Sequence, residues 1–169
     1  RDRADAPVGV RSSGIAELVR SSDVLILAVP FTAVEALAPQ IRNAPKGQIV
    51  IDATNLLGEN WTPLHLGSQN SAGEETQRIL PQARVVKAFN TVFADNFSAG
   101  RLTLDDRRVT AFIAGDDQEA TATVAGLAAD AGFEPVQVGG IENARYLEAI
   151  AHLNIQLAVG MNHGTNSGF

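Results

Sequence analysis

Three short apolar runs each stop on small or polar residues, and a helical pattern lies between each run and the next. Val24–Val29 is an unbroken apolar stretch closing on Pro30 and Phe31. Ile49–Ala53, interrupted only by Asp52, passes into Thr54 and Asn55, and Val85–Phe89, carrying Lys87, stops at Asn90 and Thr91. Such runs lack the in–out alternation of a half-exposed strand and fit strands covered on both faces. The helical pattern over Thr32–Arg42 puts Val34, Leu37, Ala38 and Ile41 on one stripe. Strands covered on both faces and separated by helices call for parallel βαβ units, which make a doubly wound α/β sheet. In that architecture ligands bind beyond the carboxyl ends of the strands. The three polar strand ends are therefore the expected walls of one crevice.

The rest of the chain fills in around them. Pro7–Val10 reads as a short strand, Ser13–Arg20 as a helix and Asn43–Gly47 as a turn. Asn55–Asn70 is irregular, rich in Gly, Asn and Pro, and holds the only tryptophan, Trp61. Ser71-Ala72-Gly73-Glu74 has capping-box spacing and opens a helix to Leu80. Ala94–Arg108 reads as an excursion and Val109–Ala114 as a strand. Gly115-Asp116-Asp117 then starts a helix to Ala131 with Gly132 as its stop. Glu134–Val138 is a last strand, and a long helix begins near Glu142. Leu147, Ile150, Ala151, Leu157, Ala158 and Met161 share one of its faces, with Leu153, Ile155 and Val159 off it. A helix apolar nearly all round needs cover on several sides, which points to a partner subunit.

Composition narrows the function classes. At 169 residues the chain suits one domain with a sizeable core, and a formal charge of −6 argues against nucleic acid as the main partner. Without cysteine there is neither a disulfide framework nor thiolate chemistry. No apolar run is long enough for a membrane span and the start has no signal-peptide core, so a cytoplasmic address is the default expectation. His65, His152 and His163 lack metal-ligand spacing, so no metal site is expected, and no serine sits in a G-x-S-x-G elbow.

Each strand end has a plain reading beside a functional one. Pro30 ends pairing and turns the chain, while the small residues before it would let a flat ring lie against backbone. Asp52 is either a carboxylate of the site or a cap for the loop amides after it. Asn90 can donate and accept at once, which suits a carboxamide, or it simply sits in a turn. Lys87 lies inside a strand pattern, where a charge is costly unless it pairs or snorkels; its plain reading is a lysine on a sheet edge.

Taken in order, "DVLILAVPFTAVEAL", "IVIDATNLL", "VVKAFNTVFADNF", "IAGDD" and "NARYLEAIAHLNIQLA" resemble the NADPH-dependent coenzyme F420 reductases, also called F420-dependent NADP oxidoreductases. The resemblance runs from about Ser21 to Phe169 and rests on the ordered set rather than on any single motif. It implies a Rossmann-like, doubly wound, mainly parallel sheet with a C-terminal helix, and hydride transfer between NADP(H) and the deazaflavin coenzyme F420. It sets Ala28, Val29, Pro30 and Phe31 against the nicotinamide side, Thr54 and Asn55 in the following loop, and Ala88, Phe89, Asn90 and Thr91 where nicotinamide and deazaflavin meet. Residues 1–139 would form the dinucleotide-binding part and residues 140–169 a helical, substrate-side segment that makes a homodimer. Direct hydride transfer needs no nucleophile, metal or acid–base triad from the protein, so no catalytic side chain is expected. Archaeal members tend to carry histidine where this chain has Asn90. The alternatives are therefore a reductase of a flavin or of a small carbonyl or imine compound, and a non-catalytic NADP(H)-binding module.

No G-x-G-x-x-G occurs in these residues. The resemblance places that loop, and the residues that select the 2′-phosphate, upstream of Arg1. With strand order 3-2-1-4-5-6 and Val24–Val29 as strand 4, the sheet here is incomplete at its N-terminal side. Roughly one further βαβ unit, some 30 or more residues, is expected before Arg1.

Overall fold

Alternate residues of the central strands point to opposite sides of one sheet, and each side has its own helices. The protein is described by a computed structural model covering residues 9–42, 46–58, 61–64, 69–97, 102–104 and 107–165. Helix α1 (Ile15–Ser21) leads into β1 (Val24–Leu27), a 3₁₀ turn (Phe31–Ala33) and α2 (Val34–Ile41). Strand β2 (Ile49–Asp52), helix α3 (Ala72–Ile79) and strand β3 (Arg84–Ala88) follow. Beyond a 3₁₀ turn (Ala94–Phe97) come the small ladder of β4 (Thr103–Leu104) and β5 (Arg107–Arg108), then β6 (Thr110–Gly115), α4 (Gln118–Asp130), β7 (Glu134–Gln137) and α5 (Ala144–Ile155).

The five-stranded sheet runs β1-β2-β3-β6-β7. Val50 and Val85 face α1, α2 and α3 in a cluster with Val19, Val34, Ala38 and Ile79. Ile51, Val86 and Ala88 face the other way, against Ala120, Val124 and Ala128 of α4 and Phe133. Burial on both faces is why these strands read as continuous apolar runs. Helix starts follow local chemistry: the Ser71 hydroxyl accepts from the Glu74 amide at 3.1 Å and donates to its carboxylate at 2.8 Å. Asp117 caps α4 through the Ala120 amide at 2.8 Å, and Gly132 ends it at φ +97°.

The structure departs from the sequence expectations at four places. Strands β1, β2 and β3 are parallel and so are β6 and β7, but β6 runs antiparallel to β3. The segment between them contains no crossover helix among the described residues, so the chain re-enters the sheet from the end it left and must run back. Lys87, whose plain reading is a sheet-edge residue, sits on the middle strand, fully buried and paired, as the other reading required. The last helix is shorter than expected: after Ile155 it widens into a π turn (Gln156–Gly160) and then leaves helical geometry, with Asn162 at φ +57° and Gly164 at φ +77°. A π turn inserts a residue and rotates the positions beyond it, which is why Met161 emerges exposed instead of joining Leu147 and Ala151 on the buried face. Pro7 and Val8 of the expected first strand lie outside the described residues, and Val10 is not in a strand. β1 is an edge strand here, and its Ile26 is 59% exposed.

Candidate active site

The three strand tips meet at the carboxyl end of β1, β2 and β3. A cleft of about 310 Å³ lies between Val29 and Pro30 on one side and Ala53, Thr54 and Asn55 on the other. A second cleft, about 170 Å³, is lined by Asn55, Asn90, Thr91 and, from α5, Ala151 and Asn154. The clefts share Asn55, Leu57 and Trp61, so they are adjoining compartments of one crevice. Between them stands a reciprocal amide pair. Asn55 Nδ2 donates to the Asn90 carbonyl at 2.8 Å, and Asn90 Nδ2 donates to Asn55 Oδ1 at 3.1 Å. Each amide thereby fixes the other's orientation and ties the β2 tip to the β3 tip.

Six of the ten residues expected at the site are on these walls: Val29, Pro30, Thr54, Asn55, Asn90 and Thr91. The other four are not. Ala28 is exposed and lines neither cleft. Phe31 packs against the α2 core, and Ala88 is buried under α4. Phe89 sits at φ +64°, a left-handed conformation unusual for a bulky residue, and turns its ring onto Phe97 and Phe133 with centroids 6.0 and 5.6 Å away. That packing holds the strained bend which delivers Asn90 to the crevice. Two acceptors on the walls have no partner among the described residues: Thr54 Oγ1 and Asn90 Oδ1 are buried without a hydrogen bond. Unmatched buried acceptors are costly, and a ligand presenting N–H groups would satisfy them.

Below the crevice lies a network that the sequence reading did not assemble. Lys87 Nζ donates to the Thr54 carbonyl at 2.6 Å and pairs with Glu148 Oε1 at 2.9 Å, with Asp52 Oδ1 at 3.5 Å. Glu148, on α5, also accepts the Ala72 and Gly73 amides at 3.0 and 3.1 Å, so its carboxylate caps the start of α3. The positive end of that helix offsets part of the excess negative charge in a cluster of one cation and two carboxylates. Asp52, offered as a site carboxylate or a loop cap, is the cap: its Oδ1 accepts the Thr54 amide at 2.8 Å. The sequence signal was Glu148 itself, a lone acid among Leu147, Ile150 and Ala151 on the buried stripe of the helix. An acid there needs a buried base, and Lys87 is one. Alongside, Arg145 bonds Glu74, and that contact holds the Glu74 carboxyl below the ordinary value of 4.5.

Among the described residues no group of three or more His, Asp and Glu side chains is placed to hold a metal ion, and no helix is long and apolar enough to cross a membrane. His152 is half-buried on α5, His163 is exposed, and His65 lies outside the described residues.

The family model described as "NADP oxidoreductase coenzyme F420-dependent" matches residues 2–56. The F420-dependent NADP reductase of Methanothermobacter marburgensis is 32% identical over 168 residues, which covers 94% of this chain and 72% of that protein. The Metalloreductase STEAP3 of Rattus norvegicus is 32% identical over 137 residues, 79% of this chain but only 26% of the longer protein. A crystal structure of a candidate F420-dependent NADP-reductase from Arthrobacter sp. FB24 superposes with a TM-score of 0.79 at 25% identity, over 90% of this chain and 71% of that one.

Proposed function

From the premise that the chain belongs to the family of F420-dependent NADP oxidoreductases, we propose that it transfers a hydride between NADP(H) and coenzyme F420 across the junction of the two clefts. One observation carries the reading: two compartments meet at the Asn55–Asn90 pair, and an unpartnered buried acceptor, Thr54 Oγ1 or Asn90 Oδ1, stands on each side. The two cofactors supply the redox chemistry, since hydride passes directly between their rings when these are held face to face. The residues fit that task. Val29 and Pro30 form an apolar floor without a backbone N–H at the proline, suited to a flat ring. Thr54 Oγ1 and Asn90 Oδ1 would accept from carboxamide or ring N–H groups and so fix each ring's rotation. Trp61 borders both compartments and would shield them from water. Proximity and orientation are the protein's contribution, and no acid or base needs to be assigned.

The same reading includes a cytoplasmic homodimer. The dimer is supported by the row of Tyr146, Leu153 and Val159, all more than half exposed on the last helical segment, with residues 140–169 as the dimerising part and residues 1–139 as the nucleotide-binding part. A second reading keeps NADP(H) and changes the acceptor to a flavin or a small carbonyl or imine compound. It stays open because a relative named a metalloreductase, without F420 in its name, matches at the same identity as one named an F420-dependent reductase.

Trp61 provides the test because it is the only tryptophan. Its fluorescence should fall on titration with NADPH, and stopped-flow NADPH oxidation should be faster with F420 than with riboflavin phosphate. Quenching without turnover on any acceptor would leave only a binding module. No response to either nucleotide would end the proposal.

A further inference from the structure

We propose that Lys87 is a positioning residue that locks the walls of the two clefts to each other and so sets the separation at which two rings face one another. The inference deepens the hydride-transfer reading and rests on it for its catalytic consequence. The contacts of the ammonium reach both walls of the crevice. Thr54 on the first wall is gripped twice, its amide by Asp52 at 2.8 Å and its carbonyl by Lys87 at 2.6 Å. Glu148, at 2.9 Å, belongs to α5, whose Ala151 and Asn154 come after it at helical spacing and line the second cleft. Asn154 in turn donates to the Thr91 carbonyl at 3.2 Å.

Stability alone does not account for such a cluster. An ammonium and two carboxylates in the middle of a sheet lose their hydration, and apolar residues of equal volume commonly do as well or better there. What apolar packing cannot do is fix a loop carbonyl and a helix at defined distances from one point. Hydride transfer depends on just that, because a displacement of about 1 Å costs on the order of 100-fold in rate.

The experiment compares the full-length wild type with Lys87→Met, which keeps the length and apolar packing of the side chain but removes the ammonium. Amide exchange should accelerate together at residues 53–57 and 151–155. Turnover per folded molecule should drop about 100-fold, while the Kd for NADPH moves less than about threefold, because each compartment keeps its own lining. Should Lys87→Met fail to fold, Glu148→Gln keeps an acceptor for one of the two α3 amides and should give the same paired acceleration with roughly a tenfold loss of turnover. Acceleration at one wall only, or turnover within about threefold of wild type, overturns the inference. A wild type that fails to oxidise NADPH whichever acceptor is supplied refutes the hydride-transfer reading instead, and amide exchange alone then decides whether Lys87 couples the walls.

Discussion

Gly73 and Gly126 both lie inside helices, and alanine at the two positions should move stability in opposite directions. On propensity alone each replacement gains about 0.8–1.0 kcal/mol. At Gly126, exposed in α4, an added Cβ meets nothing within 4 Å, so the gain should be realised in full. At Gly73, in the first turn of α3, the Cβ would stand 2.9 Å from the Ala144 Cβ and 3.3 Å from Ile141 Cδ1. The isoleucine end can swing away, but a Cβ is fixed to its backbone, so α3 and α5 must separate. Overpacking of this kind costs about 1–3 kcal/mol. Separation also stretches the 3.1 Å bond from the Gly73 amide to Glu148, and losing part of a charge-assisted bond adds about 1 kcal/mol. Subtracting the propensity gain leaves a net loss of about 1–3 kcal/mol for Gly73→Ala. In a chain of this size each kcal/mol shifts Tm by about 2–4 °C, so Gly73→Ala should melt about 2–12 °C lower and Gly126→Ala about 2–4 °C higher. Reversible thermal and urea unfolding followed by circular dichroism reads both. A Gly73→Ala protein at least as stable as wild type would refute the close packing of α3 on α5, and with it the account of Glu148 as a cap.

The Arg145–Glu74 contact predicts an acid-side loss. Because the folded Glu74 carboxyl sits below its ordinary value of 4.5, its stabilisation is present above that value and disappears as pH falls through the folded one. The Tm difference between wild type and Glu74→Gln should therefore be widest near neutrality and close as pH falls below 4.5 and through the lowered folded value; a constant difference would contradict the pairing. Asn90→Ala removes one bond of the amide pair and keeps the other, since the Asn90 carbonyl still accepts from Asn55. Stability should fall by about 1 kcal/mol and F420 affinity by roughly tenfold in calorimetry, because Asn90 lines the second cleft and not the first. Unchanged affinity would remove Asn90 from the binding wall.

The crevice was legible because its walls are strand ends. An apolar run broken by Pro30, by Thr54 and Asn55, or by Asn90 and Thr91 announces where a covered strand stops, and a doubly wound sheet brings such stops to one edge. Helix caps at Ser71 and Asp117 were legible for the same reason: a helix start is satisfied by residues two or three positions away. These are short-range matters, and the order of residues settles them. The direction of β6 was not settled that way, because Ala94–Arg108 read only as an excursion, and the end of the sheet at which it returns depends on packing far from its own residues. Nor was the turning of Phe31 and Phe89 away from the clefts, since beyond a strand end the pleat no longer dictates which side a residue faces. Above all, Lys87 and Glu148 lie 61 positions apart, and each alone looks like a charge in the wrong place. Only packing α5 across the start of α3 brings them within 2.9 Å of each other. A buried charge states that it must have a partner, whereas which one it has depends on how the helices close over the sheet.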